Sequence, residues 1–301
     1  MSLVAGPGWD SGDCPWLWHH GPVTRVNWQT VLNDDFRVPD GTPLGELTSE
    51  LTELLGSPDP ELRDGLAYPT LATWIERGVY DDLLPALGDG MVVGLQVAVG
   101  EHEGDTVFRR SFSALVLAEC IARDTTRPLV LGGKVLQWGD ALATWLLRER
   151  DLRGFVPGRG WAHAVAHGAD ALGALARSPH LSAPELTVVL DVIADRLVAP
   201  VDTPFTQGED DRLAAATLAA LRRDCVPMTV LEPWINRISA SAATTPSADQ
   251  AASATAGNAQ GFLRALYLAL ALGTRPPTVR ADLMLVLVGA LRTTNAFLRE
   301  G

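Results

Sequence analysis

The chain has 301 residues, 47% of them hydrophobic and 20% charged, a balance that supports a large buried core. Its formal net charge of −12, with no cluster of basic residues, excludes a general nucleic-acid binder, because neutralising phosphates takes a basic stripe.

The first residues, "MSLVAGPGWDSGDCPW", show no basic stretch followed by an apolar one. No signal peptide is therefore expected, and the chain reads as cytoplasmic. Residues 1–40 carry Trp9, Trp16, Trp18 and Trp28 among Gly and Pro, which predicts an irregular extension packed on the first repeat. Residues 41–301 read as one helical-repeat domain. Within it, Leu44, Leu47, Leu51, Leu54 and Leu55 give a helical stripe. "GSPDP" breaks the stripe, and Leu62, Leu66, Leu71 and Ile75 resume one. Asp59 is the expected N-cap, with Pro60 at the first helical position. The spacing predicts an antiparallel helix pair, which resembles a HEAT repeat through its Asp-Pro turn and Arg63. Further on, "MVVGLQVAVG" at 91–100 fits a lone strand or a short buried helix.

Weaker echoes of the second helix occur at 105–121, 158–175, 208–223 and 258–272, each an Ala/Leu-rich stretch with an arginine near its start. With Arg63, Arg109, Arg159, Arg212 and Arg264 as markers, the period is roughly fifty residues, slightly longer than common helical repeats. The fold predicted is all-α: a HEAT-like α/α solenoid of about five helix pairs, each burying its face against its neighbours. Residues 239–257, rich in Ser, Ala and Thr, read as a mobile loop. The most apolar stretch, "ADLMLVLVGAL" at 281–291, is too short to span a bilayer, so no membrane partner is expected. Cys14, Cys120 and Cys225 are far apart and lack CxxC spacing, which predicts free thiols.

Four separated motifs, "DPELRDGLAYPTLATWI", "DTVFRRSFSALVLAE", "LRGFVPGRGWAHAVAHGADAL" and "FTQGEDDRL", occur in order. Together they resemble the bacterial family catalogued as domain of unknown function 2785, from about Trp28 to the C-terminus. The resemblance implies an all-helical fold and carries no activity with it.

"GRGWAHAVAHGADAL", residues 158–172, holds the densest chemistry. On a helix, His163, His167 and Asp170 share one face. Aligning Arg159 with Arg63 and Arg109 puts these three where other repeats are largely apolar, so each buried polar group needs a partner. Two imidazoles at i and i+4 can present themselves to one divalent metal such as zinc, with Asp170 orienting His167 or binding directly. No glutamate of the HExxH type lies between them, and no third ligand is fixed by spacing. The competing reading is a hydrogen-bonded network that pins one repeat to the next. "GEDDRL" opens the next helix, so Glu209 and Asp210 are expected to face the histidines, with Arg212 along the seam. "RGFVPGRGW" is a Gly-rich loop into a helix N-terminus, where Arg153 or Arg159 would add charge for an anion. Trp161, Arg110, Arg159, Glu209, Asp210 and Arg212 are the expected ligand-binding residues.

The function expected is a binding scaffold with a polar concave pocket for a small metabolite, a peptide or a partner protein. The alternative is an enzyme, a metal-assisted hydrolase or an acid/base lyase or cyclase using His163 and His167, with Asp170 beside them.

Overall fold

The computed structural model describes residues 26–243 and 250–295, so Trp9, Trp16, Trp18 and Cys14 lie outside the described residues. The fold is all-α apart from one small hairpin. Helix α1 (Trp28–Asn33) leads to α2 (Leu44–Leu54) and then α3 (Pro60–Leu62), which runs through a π-helical turn, Arg63–Ala67, into α4 (Tyr68–Glu76). A 3₁₀ turn, Asp81–Leu83, precedes α5 (Leu84–Leu95), α6 (Thr106–Thr126) and α7 (Gly132–Arg148). The hairpin pairs β1 (Phe155–Val156) with β2 (Gly160–Trp161), antiparallel, with Phe155 opposite Trp161. Then come α8 (Ala164–Arg177), α9 (Ala183–Val198), α10 (Glu209–Leu221), α11 (Met228–Ala242), α12 (Gln250–Leu272) and α13 (Arg280–Thr294).

Asp59 caps the second helix as expected, its carboxylate accepting from the Glu61 N–H at 2.9 Å. The π turn has a covalent cause. Pro69 has no N–H to donate four residues back, and the Tyr68 N–H instead reaches the Arg63 carbonyl, widening the helix by one residue.

The helices form two layers. In one, α6 packs on α8, α8 on α10, and α10 on α12. In the other, α5, α7, α9, α11 and α13 succeed one another. A continuous set of buried apolar residues runs between the layers from Val31 to Ala290, with Trp74, Phe108, Trp138, Leu172, Ile193, Leu231 and Phe262 inside it. Helix α8 is buried nearly all round and is built from Ala, Gly and Leu, which lets its neighbours come close. A Cβ on Gly168 would lie 2.8 Å from the Leu146 side chain.

Several expectations are corrected. Arg159 lies in the hairpin turn, and Arg264 lies deep within α12, so neither marks the start of a helix. Of the two readings of 91–100, the helical one holds for residues 91–95, which are the end of α5. Trp28 opens a helix, and its indole N–H bonds Glu50 at 2.8 Å. In the Ser/Ala/Thr-rich segment, 239–242 belong to α11 and 250–257 to α12, because alanine favours helix wherever packing accepts it. Residues 244–249 lie outside the described residues.

Candidate functional site

The hairpin that leads into α8 is fastened by Arg63, 96 residues before the hairpin residue it bonds. This guanidinium is fully buried and donates to the Ser57 carbonyl (2.7 Å), to Asp64 (2.9 Å) and to the Arg159 carbonyl (2.7 Å). Its Cζ lies 4.1 Å above the Phe108 ring, and burial lowers its pKa. The hairpin can approach because position 160 is glycine: a Cβ there would sit 2.9 Å from Pro60, and φ is +75°.

This anchoring overturns the shared helical face expected of the two histidines. The His163 N–H bonds the Arg153 carbonyl and the Ala162 N–H the Gly154 carbonyl, so the chain is still in the hairpin there. His163 is the residue before α8, in the left-handed region with φ 49° and ψ 34°. A non-glycine residue held there is strained, and such strain collects at functional sites. Its ring stacks beneath Trp161 at 4.3 Å between centroids. Its Nε2 is buried without a hydrogen-bond partner, 3.8 Å from the buried Glu209 carboxylate. Burial lowers the His163 pKa, more than Glu209 raises it.

His167 lies inside α8 and does other work. Its Nδ1 meets the Ser111 hydroxyl at 2.7 Å, its ring packs edge-on against Phe112, and burial pushes its pKa down to about 3. The two imidazoles are perpendicular, 5.8 Å apart. Among the described residues, no three His, Cys, Asp or Glu side chains converge in a group able to hold a metal ion.

Asp170 points to another face of α8, where Arg212 of α10 pairs with both its oxygens at 2.8 and 2.6 Å. Here a groove of about 270 Å³ crosses α6, α8 and α10. Ala118, Ala169, Gly173 and Ala216 give it a shallow floor, and Tyr68, Glu119, Asp170, Arg177 and Arg212 line it. Tyr68 donates to Glu119 at 2.9 Å, and its own pKa is raised, mainly by burial. Arg177 is exposed and in no ion pair among the described residues.

Of the expected site residues, Trp161, His163, His167 and Glu209 come together, while Asp170 and Arg212 line the neighbouring groove. The rest do not join. Arg110 is fully buried, bonded to Glu149 at 2.5 and 2.8 Å and to the Val97 and Ala98 carbonyls, and holds the core. The Arg159 guanidinium pairs with Asp105, and Arg153 pairs with Asp151, so the Gly-rich loop offers no free cation there. Asp210 turns toward Gly261 of α12 and not toward the histidines. Ser111, Tyr68, Glu119, Arg177 and Glu149 went unread. Ser111 and Glu149 had no spacing signal, since their partners lie on other helices; the polar interruptions Tyr68 and Glu119 in apolar helices were a usable one. Cys120 is buried and free, its thiol pKa raised by burial, and Cys225 is exposed and free.

Comparison with known proteins adds a family and no activity. No curated protein and no solved structure matches the chain. A family model described as "Protein of unknown function (DUF2785)" matches residues 95–268, the stretch that carries the hairpin, His163 and His167, and the groove lining apart from Tyr68. With more than half of its length matched, the chain belongs to the DUF2785 family.

Proposed function

We propose that this chain is a HEAT-like helical-repeat scaffold of about five helix pairs that binds a zwitterionic small molecule or peptide segment across α6, α8 and α10. The observation that carries this reading is the groove of about 270 Å³, with a floor of alanine and glycine and side chains of both charges around it. Among the described residues, Arg177 is a cation without an ion pair, and Glu119 is an acid whose side chain is hydrogen-bonded by the neutral Tyr68 phenol and forms no ion pair. Small floor residues leave backbone-width space, and opposed charges at the rim orient a ligand that carries both signs. The alternation of two helix layers supports the repeat reading. The test is calorimetric titration with dipeptides bearing one acidic or one basic side chain. Binding that is lost in Glu119→Gln and Arg177→Gln supports the scaffold. No binding at millimolar dipeptide, with the fold intact, overturns it.

One observation favours a second reading, the acid/base lyase or cyclase or metal-assisted hydrolase. His163 is held in a strained backbone with its Nε2 unpartnered beside Glu209. In that reading His163 is the proton-transfer group and His167 positions α8, because His167 already engages Ser111. A zinc ion would draw on His163 and Glu209. Elemental analysis decides: stoichiometric zinc, lost in His163→Gln, supports this reading, and metal-free protein removes its hydrolase form.

A further inference from the structure

A cavity of about 700 Å³ lies away from the groove, where the loops after α5, α7 and α9 meet the start of α12. Its lining includes His102 and the charged side chains of Arg148, Glu149, Arg150, Arg196 and Asp202.

Arg196 comes from the last turn of α9 and is only 4% exposed. Its Nη1 donates to the carbonyls of Leu146 (3.2 Å) and Glu149 (3.1 Å), which close the end of α7. Its Nε is buried without a partner, and its Nη2 makes no hydrogen bond among the described residues. The Glu149 carboxylate attracts Arg196 through its charge but forms no ion pair with it, because its oxygens are already taken. One of its oxygens accepts from Arg110 Nε and Trp145 Nε1, the other from Arg110 Nη2 and the N–H groups of Arg150 and Asp151. Arg148 and Arg150 are exposed on the same lining, and neither side chain forms an ion pair among the described residues. Against three guanidinium groups stand Asp202 and the carbonyl ends of α7 and α9, about half a negative charge each before Arg196 covers one of them. In a chain of net charge −12, the cavity keeps an excess of cation, and a buried cation short of partners is stabilised by an incoming anion.

We propose that this cavity binds a small multivalent oxyanion, held by Arg148 and Arg150 at the mouth and by Arg196 within. Arginine forks match phosphate and carboxylate oxygens alike, and the volume suits a metabolite-sized ligand. The site is independent of the groove across α6, α8 and α10.

The test is calorimetric titration of the full chain with pyrophosphate and, separately, with citrate, at low salt. Saturable one-to-one binding of either is expected, and whichever binds tighter assigns the phosphate or the carboxylate source. The double variant Arg148→Gln/Arg150→Gln leaves Arg196 and the core in place. It should weaken binding by about tenfold or more with an unchanged melting temperature, since each tenfold is one modest charge-assisted contact. Asp202→Asn should tighten binding, and Arg177→Gln in the groove should leave it unchanged. No binding of either anion, equal affinity in the double variant, or equal weakening by Arg177→Gln would overturn the proposal.

Discussion

Ser111 and His167 tie α6 to α8 through a 2.7 Å contact between Oγ and Nδ1, and the same hydroxyl donates to the Ala162 carbonyl. A serine has one proton to give. With it committed to Ala162, His167 must donate from Nδ1, which fixes its neutral tautomer. The two histidines of the motif therefore have separate duties. One pins the seam between helices, and the other, in a left-handed backbone with its Nε2 unpartnered, faces Glu209.

Acid should loosen this seam. The usual histidine value is 6.5 and the folded His167 value is about 3, so the unfolded chain takes up the proton first as pH falls. The stability from neutral His167 is complete above pH 6.5 and is lost progressively toward pH 3. By pH 5 the loss is about 2 kcal/mol. Melting temperatures of the wild type and His167→Gln, tracked between about pH 7 and pH 4, should converge as pH falls. Parallel curves would show that His167 is not held neutral.

Breaking the knot between Arg110 and Glu149 should be among the costliest single changes. Both side chains are buried, and the carboxylate accepts five hydrogen bonds. Arg110→Met strands that charge, at a cost of about 3–5 kcal/mol in denaturant unfolding. A loss below about 1 kcal/mol, the scale of exposed ion pairs, would contradict the buried assignment.

Two glycines of α5 make a paired test. A Cβ on Gly88 would lie 2.2 Å from the Trp138 ring, whereas one on Gly90 meets nothing within 4 Å. Gly88→Ala should destabilise by about 1–3 kcal/mol through overpacking. Gly90→Ala should stabilise by about 0.5–1 kcal/mol through helix propensity. Unfolding midpoints of opposite sign are expected, and the same sign at both positions would refute this packing of α5 on α7.

The ion pair between Asp170 and Arg212 is open to solvent, with Arg212 54% exposed. Arg212→Gln should therefore cost less than about 1 kcal/mol in stability. Dipeptide affinity in the groove should fall at the same time. A large drop in melting temperature would make the pair a structural clamp.

Much of the helical framework was legible because its signals are local. The leucine stripe at 44–55 and the Asp59–Pro60 cap depend on neighbours within a turn or two, and α2 and α3 form where they predict. The acidic start of α10 at Glu209 was legible in the same way. The site was not. Spacing alone put His163 one turn before His167 on a common stripe. Yet the hydrogen bonds of the hairpin keep His163 out of the helix, and Arg63 secures that hairpin from 96 residues earlier in the chain. A bond over such a distance leaves no periodic trace. Arg110 and Arg212 sit alike in the first turns of Ala/Leu-rich helices, but one meets Glu149 in the core and the other Asp170 at a solvent-lined groove. Local propensity draws the helices; which of their polar side chains are sealed and which are left facing a ligand depends on how distant segments pack, because burial and partnership are properties of the assembled layers.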